Sequence, residues 1–231
     1  MRRVGPNFDF ERDMTIPAMK WLTDQTLLVK QEYRTPWGIC DLVGLELEQS
    51  RVTTRRFQGQ RVPIGPPPRI ALLRRVPSAE TGESITLPML SSVLGRPLND
   101  VARDARALLA RGFLVRCDGD AYQSRCAWVP LHRRIVAIEL KVDRINEAIH
   151  QASAHRLFAT ESYIGLPAAL AERIYVRPEQ MQAARVGLLS VSAGGAAVLV
   201  PAPTLPVAEA DAVLQMHCVE RFWRDFTGTL A

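Results

Sequence analysis

Between Arg51 and Arg75 the sequence carries seven arginines, no acidic residue, and the segment Pro63-Ile64-Gly65-Pro66-Pro67-Pro68. Proline has no backbone donor, so a sheet interior cannot continue through this stretch. Apolar strand-like segments lie on both sides of it. The chain must therefore leave one sheet, build something else, and return. Residues 51–68 read as an Arg/Pro-rich connector into a unit inserted at 69–126. The core is then discontinuous, formed by residues 1–50 and 130–231.

The first core segment begins with a helix over Phe8–Leu22, in which Phe10, Met14, Met19 and Leu22 recur at mostly helical spacing. Leu27–Tyr33 and Ile39–Leu47 read as two strands joined by the turn Thr35-Pro36-Trp37-Gly38. After the insert come an apolar strand at Arg134–Val142, a helix at Val142–Ala159 and a strand at Ser162–Leu166. Short helices at Ala168–Arg173 and Glu179–Ala184, a hairpin at Val186–Val200 and a helix from Val207 to Phe226 complete the chain. Strands and helices mixed in this order predict an α/β (α+β) fold with a central mixed sheet flanked by helices.

The chain of 231 residues is 47% apolar, which excludes a wholly disordered polypeptide. No apolar run reaches the roughly 18–20 residues needed to cross a bilayer, and Met1-Arg2-Arg3 is followed by no signal-peptide core. A soluble, cytoplasmic protein with no membrane partner is expected. Cys40, Cys117, Cys126 and Cys218 show no CxxC pairing, so free thiols are expected rather than a zinc knuckle or a disulfide framework. The net charge is +5, and 26 of the 29 basic residues are arginine, the side chain best shaped to grip phosphate. Arginine bias also arises from GC-rich coding, so charge alone points only weakly to nucleic acid.

Glu139 and Lys141 interrupt the apolar strand Ile135–Val142. Residues two apart on a strand share a face, so this carboxylate and ammonium point together while Ile138, Leu140 and Val142 point into the opposite layer. Charges in so apolar a strand cost several kcal/mol unless paired or bound to a cation. Asp41 is the same anomaly within Ile39–Leu47. If these strands are neighbours, Asp41, Glu139 and Lys141 converge, and two carboxylates with an amine suit Mg²⁺, a hard cation that takes oxygen ligands.

The run Gly38-Ile39-Cys40-Asp41-Leu42-Val43, followed by Ile138-Glu139-Leu140-Lys141, resembles the motif of the PD-(D/E)XK, or restriction-endonuclease-like, nuclease superfamily. The helix segment Ala148-Ile149-His150-Gln151-Ala152 and the strand Ser162–Pro167 extend the likeness, which covers about half the chain. Asp41 and Glu139 stand 98 positions apart (139 − 41) where the family commonly has a short hairpin, a gap filled by the insert, and the proline usual before the aspartate is missing. The resemblance implies that Asp41, Glu139 and the backbone carbonyl of Leu140 hold Mg²⁺, with Mn²⁺ able to substitute. It implies that Lys141, its pKa lowered by its surroundings, orients or deprotonates the attacking water. Glu32 and Glu11 are candidates for an additional acidic residue, and Gln151 for a position beside the metal or water. His150 and His155 read as surface or packing residues, and Tyr163 as core.

Within the insert, short helices at Ile70–Leu73 and Leu87–Leu94, a third helix at Leu98–Arg111 and a hairpin over Phe113–Gln123 follow the order of a winged helix-turn-helix domain, which this stretch resembles. Such a module lays its third helix in the major groove of DNA. Arg96, Arg103 and Arg106 are candidates for that contact, and Arg55 and Arg56 for tracking phosphates, although Asp100 and Asp104 share the third helix. The expected function is a metal-dependent endodeoxyribonuclease. The alternative is a non-catalytic DNA-binding or partner-binding protein, a regulator or a component of a defence or repair assembly, built on a nuclease-like scaffold. Phe222, Trp223 and Phe226 on the last helix offer either an interface for a homodimer or ordinary core packing.

Overall fold

The protein was analysed as a computed structural model, which describes residues 8–125, 130–204 and 211–228. It forms two compact units: residues 1–46 with 132–215, and residues 47–131 with 216–231.

The first unit is a six-stranded mixed sheet with helices on both faces. Its strands are β1 (Leu28–Thr35), β2 (Gly38–Leu47), β6 (His132–Leu140), β7 (Glu161–Pro167), β8 (Gly187–Ser192) and β9 (Gly195–Val200), hydrogen-bonded in the order β1-β2-β6-β7-β8-β9. The β1–β2 and β8–β9 pairs are antiparallel hairpins, whereas β6–β7 and β7–β8 are parallel. Parallel neighbours require crossovers. α6 (Ile145–His155) supplies the first, and α7 (Ala168–Tyr175) with α8 (Glu179–Ala184) the second.

Burial is continuous along β7 and over the last six residues of β6, and successive side chains feed two apolar layers. Leu42, Ile138, Leu140, Tyr163, Leu189 and Val191 pack against Met14, Ala18 and Leu22 of the N-terminal helical segment. On the other face Ile164, Leu166 and Leu188 meet Ala148, Ala152, Ala171 and Met181 of α6, α7 and α8. The spacing Ala148, Ile149, Ala152 explains why α6 turns this stripe inward. The helix predicted over Phe8–Leu22 is instead a single 3₁₀ turn, Glu11–Met14, leading into α1 (Thr15–Asp24). Pro17 accounts for the difference: it fits the first helical turn, where its missing N–H is not needed, and would break an interior.

The second unit corrects two expectations. Residues 51–57, the first part of the 51–68 connector, lie in helix α2 (Gln49–Phe57), and the C-terminal helix α9 (Ala212–Gly228) belongs from Met216 onward to this unit rather than to the core. It continues with α3 (Pro67–Leu73), β3 (Ile85–Thr86), α4 (Leu87–Leu94), α5 (Leu98–Ala110), β4 (Leu114–Cys117) and β5 (Ala121–Ser124), the strands pairing in the order β3-β5-β4. Gly95, at φ +60°, ends α4 in the left-handed region and lets α5 begin three residues later. Val101, Ala105 and Leu108 bury the inner stripe of α5, as their spacing predicts.

An ion pair lies inside this unit. The Arg55 guanidinium on α2 donates to Glu220 Oε1 and Oε2 at 2.5 and 2.9 Å and to the carbonyls of Gln60 and Val62. Glu220 also accepts the Ile64 N–H at 2.7 Å, and Arg55 lies 4.5 Å above the Trp223 ring. Both partners are at most 3% exposed. Phe222 and Trp223 are buried within the single chain, the core packing that is one of the two readings for them; the Phe226 side chain lies outside the described residues, as does Cys126. Glu220→Ala should strand the guanidinium and lower stability by about 3–5 kcal/mol, while Arg55→Met with Glu220→Leu should recover most of that loss. Denaturant unfolding of the three proteins measures both effects.

Candidate active site

The site is assembled where β2 lies beside β6. Asp41 Oδ2 accepts the Leu140 backbone N–H at 2.7 Å, and the Cys40 thiol donates to the Ile138 carbonyl at 3.5 Å. Residues nearly one hundred positions apart in sequence are thereby held side by side, as the convergence of Asp41 with Glu139 and Lys141 required. Asp41 lines a cleft of about 380 Å³ with Glu11, Arg12, Gln31, Glu32 and Leu140. Glu32 sits at the mouth of the cleft, exposed, with a backbone φ of +48°. That left-handed conformation is uncommon for a residue with a Cβ and marks a local irregularity in β1, between the Gln31–Leu42 and Tyr33–Cys40 pairs.

Glu139 is 1% exposed and fully engaged. Lys141 Nζ donates to its Oε1 at 3.1 Å, and His155 Nε2 lies 3.0 Å from its Oε2. Lys141, just past the end of β6, also donates to the Leu140 carbonyl at 3.3 Å and stands 3.5 Å from Glu11 Oε2. The other Glu11 oxygen lies 3.3 Å from Arg144. Gln151 stands one turn before His155 on α6, hence on the same face, and its Oε1 is buried without a hydrogen-bond partner among the described residues.

The electrostatics follow from this crowding. Burial first, and then the charge of Glu139, push the Asp41 carboxyl up to about 6, against the partial relief given by the Leu140 N–H and Lys141. Lys141 corrects the expectation of a lowered pKa. Burial pulls it down, but Glu139, Asp41 and Glu11 together outweigh burial and raise it above the ordinary lysine value. The ammonium is therefore held protonated, suited to orienting a ligand and stabilising anionic charge rather than to accepting a proton. Burial raises the Cys40 thiol well above its ordinary value, reinforced by Glu139 and Asp41. Two hard carboxylates whose mutual repulsion is relieved by a proton, together with the Leu140 carbonyl, form a donor set that fits a divalent cation.

His155 and Cys40 are members of this cluster that sequence reasoning did not select. The signal available was the i, i+4 spacing of Gln151 and His155 and the adjacency of Cys40 to Asp41. His150 is exposed, and Tyr163 is buried against Trp21 with its ring centroid 5.5 Å away.

The arginines proposed for DNA lie on the second unit in different situations. Arg55 is spent on Glu220, which corrects its assignment to phosphate. Arg96 donates to Asp104 at 2.7 Å, and Arg69 stands 3.4 Å from the same carboxylate, so Asp104 is a neutralised, buried group. Arg103 is exposed and lies 2.9 Å from Asp100; Arg106 and Arg56 are exposed.

Asp41 also affects stability. Its folded pKa of about 6 lies above the ordinary 3.8, so folding favours the protonated carboxyl, and stability is lost as pH rises from about 4 through 6. Asp41→Asn, which can still accept the Leu140 N–H, should therefore be more stable than the wild type by about 1–3 kcal/mol at pH 7.5. The difference should close towards pH 4.5 when denaturant unfolding is compared at the two pH values.

In comparisons with protein-family models, with curated proteins and with solved structures, the chain matches none.

Proposed function

We propose that the chain is a magnesium-dependent nuclease that hydrolyses DNA phosphodiester bonds, built on a restriction-endonuclease-like core with an inserted winged-helix module. The observation carrying this reading is the meeting of Asp41, Glu139 and Lys141 beside an open cleft, from strands separated by a whole inserted unit. Asp41, Glu139 and the Leu140 carbonyl hold the cation, which when bound activates water and polarises the scissile phosphate. Glu139 enters that role by exchanging one of its present partners. Lys141, protonated, orients the attacking water and stabilises charge developing on the phosphoryl oxygens. Glu11 keeps Lys141 in place, and Glu32 supplies a further carboxylate at the cleft mouth. Arg103 and Arg106 on the exposed face of α5, with Arg56 on α2, serve the DNA backbone through salt-sensitive contacts.

One observation favours a second reading. Glu139 is buried with both oxygens engaged, as in a scaffold that binds DNA or a protein partner without cutting. Plasmid nicking separates the two. The nuclease cuts supercoiled DNA with Mg²⁺ or Mn²⁺, stops with chelator, and loses about 100-fold or more in rate in Lys141→Ala. Absence of cutting with either ion, alongside salt-sensitive duplex binding that survives Asp41→Ala, is the outcome of the scaffold reading.

A further inference from the structure

Glu139 has a second set of neighbours whose chemistry differs from that of the carboxylate pair. The Cys40 sulfur, a Glu139 carboxylate oxygen and a His155 ring nitrogen lie within 4.8 Å of one another. All three side chains are at most 2% exposed. Sulfur, imidazole and carboxylate are the mixed donors that zinc-like cations select, whereas magnesium takes oxygen alone.

Three features make this more than a chance encounter of buried groups. The elements that carry the donors are fixed independently, on β2, β6 and α6, so the cluster is preorganised by the sheet and its crossover helix. His155 keeps Nε2 against Glu139, while its Nδ1, across the ring, is buried with no hydrogen-bond partner among the described residues. The field also suits a divalent cation: Glu11, Asp41 and Glu139 against Lys141 and Arg144 leave a formal charge of −1 around the cluster. Phe158 packs edge-on to His155 with ring centroids 5.9 Å apart, and Tyr33 stacks on Phe158 at 5.6 Å, so the histidine is held by an apolar aromatic stack.

We propose that Cys40, Glu139 and His155 form a binding site for a thiophilic divalent cation of the zinc type, separate from the oxygen donors at Asp41 but sharing Glu139 with them. Coordination converts the Cys40 thiol to thiolate, its proton passing to solvent, and draws the carboxylate of Glu139 towards the sulfur. Under the nuclease reading such an ion opposes magnesium, because both need Glu139. The site itself does not rest on that reading.

The test uses Co²⁺ as a coloured stand-in for zinc, titrated into the full-length reduced protein. A near-ultraviolet thiolate-to-cobalt charge-transfer band is expected, displaced by equimolar Zn²⁺. The band should be absent in Cys40→Ser and persist in Asp41→Asn, and His155→Gln should weaken cobalt binding about 10-fold or more. Circular dichroism of each variant establishes folding. X-ray absorption on the wild type gives an independent answer, with one sulfur in the cobalt shell expected. No charge-transfer band, a band that survives Cys40→Ser or vanishes in folded Asp41→Asn, or an all-oxygen shell would overturn the assignment. None of these readouts depends on DNA cleavage, so the site and the nuclease reading can fail separately.

Discussion

Where β2 pairs with β6, a carboxylate accepting a backbone N–H adds a side-chain tie between the two sequence segments of the first unit. The bond from Leu140 to Asp41 fixes β2 against β6 at the point where both strands carry charge, and it places the second carboxylate, the ammonium and the cleft in one neighbourhood. Without that adjacency Glu139 and Lys141 would be a buried ion pair within one strand, which is weak grounds for any chemistry. With it, four ionisable groups share a space too small for their charges, and their mutual perturbation is the physical signature of the site.

How much of this could be read in the sequence depended on how far each residue departed from its surroundings. Asp41, Glu139 and Lys141 were legible because a charge among Ile, Val and Leu demands a partner. The elements at 87–94, 98–110 and 179–184 were legible because their periodicity is clean. The helix at 49–57 was hidden by its own arginines. Only Val52 and Arg55 face inward, and the Arg55 partner lies 165 positions away. Cys40 and His155 were invisible for the opposite reason, since a cysteine beside a strand aspartate and a histidine near a helix end look like packing until three elements are placed together. The rise in the Lys141 pKa comes chiefly from Glu139 and then Asp41, with Glu11 adding to it from the N-terminal 3₁₀ turn, an approach no local pattern announces.

Glu139 is the most contested group in the molecule. A hard ion, a soft ion, Lys141 and His155 all have a claim on its two oxygens, and each claim draws on a different neighbour: Asp41, Cys40, Glu11 or the end of α6. Its oxygens already serve Lys141 and His155, so a cation that took this carboxylate would have to displace one of them.

The closure of the second unit by α9 bears on how the molecule is made. Arg55 is synthesised 165 residues before its counter-charge, Glu220, and also well before the Trp223 ring beneath it. Until then α2 holds an arginine that its own neighbourhood cannot neutralise. The second unit therefore cannot close this ion pair until α9 has been made, and a nascent polypeptide halted before α9 would present that half-built region to chaperones.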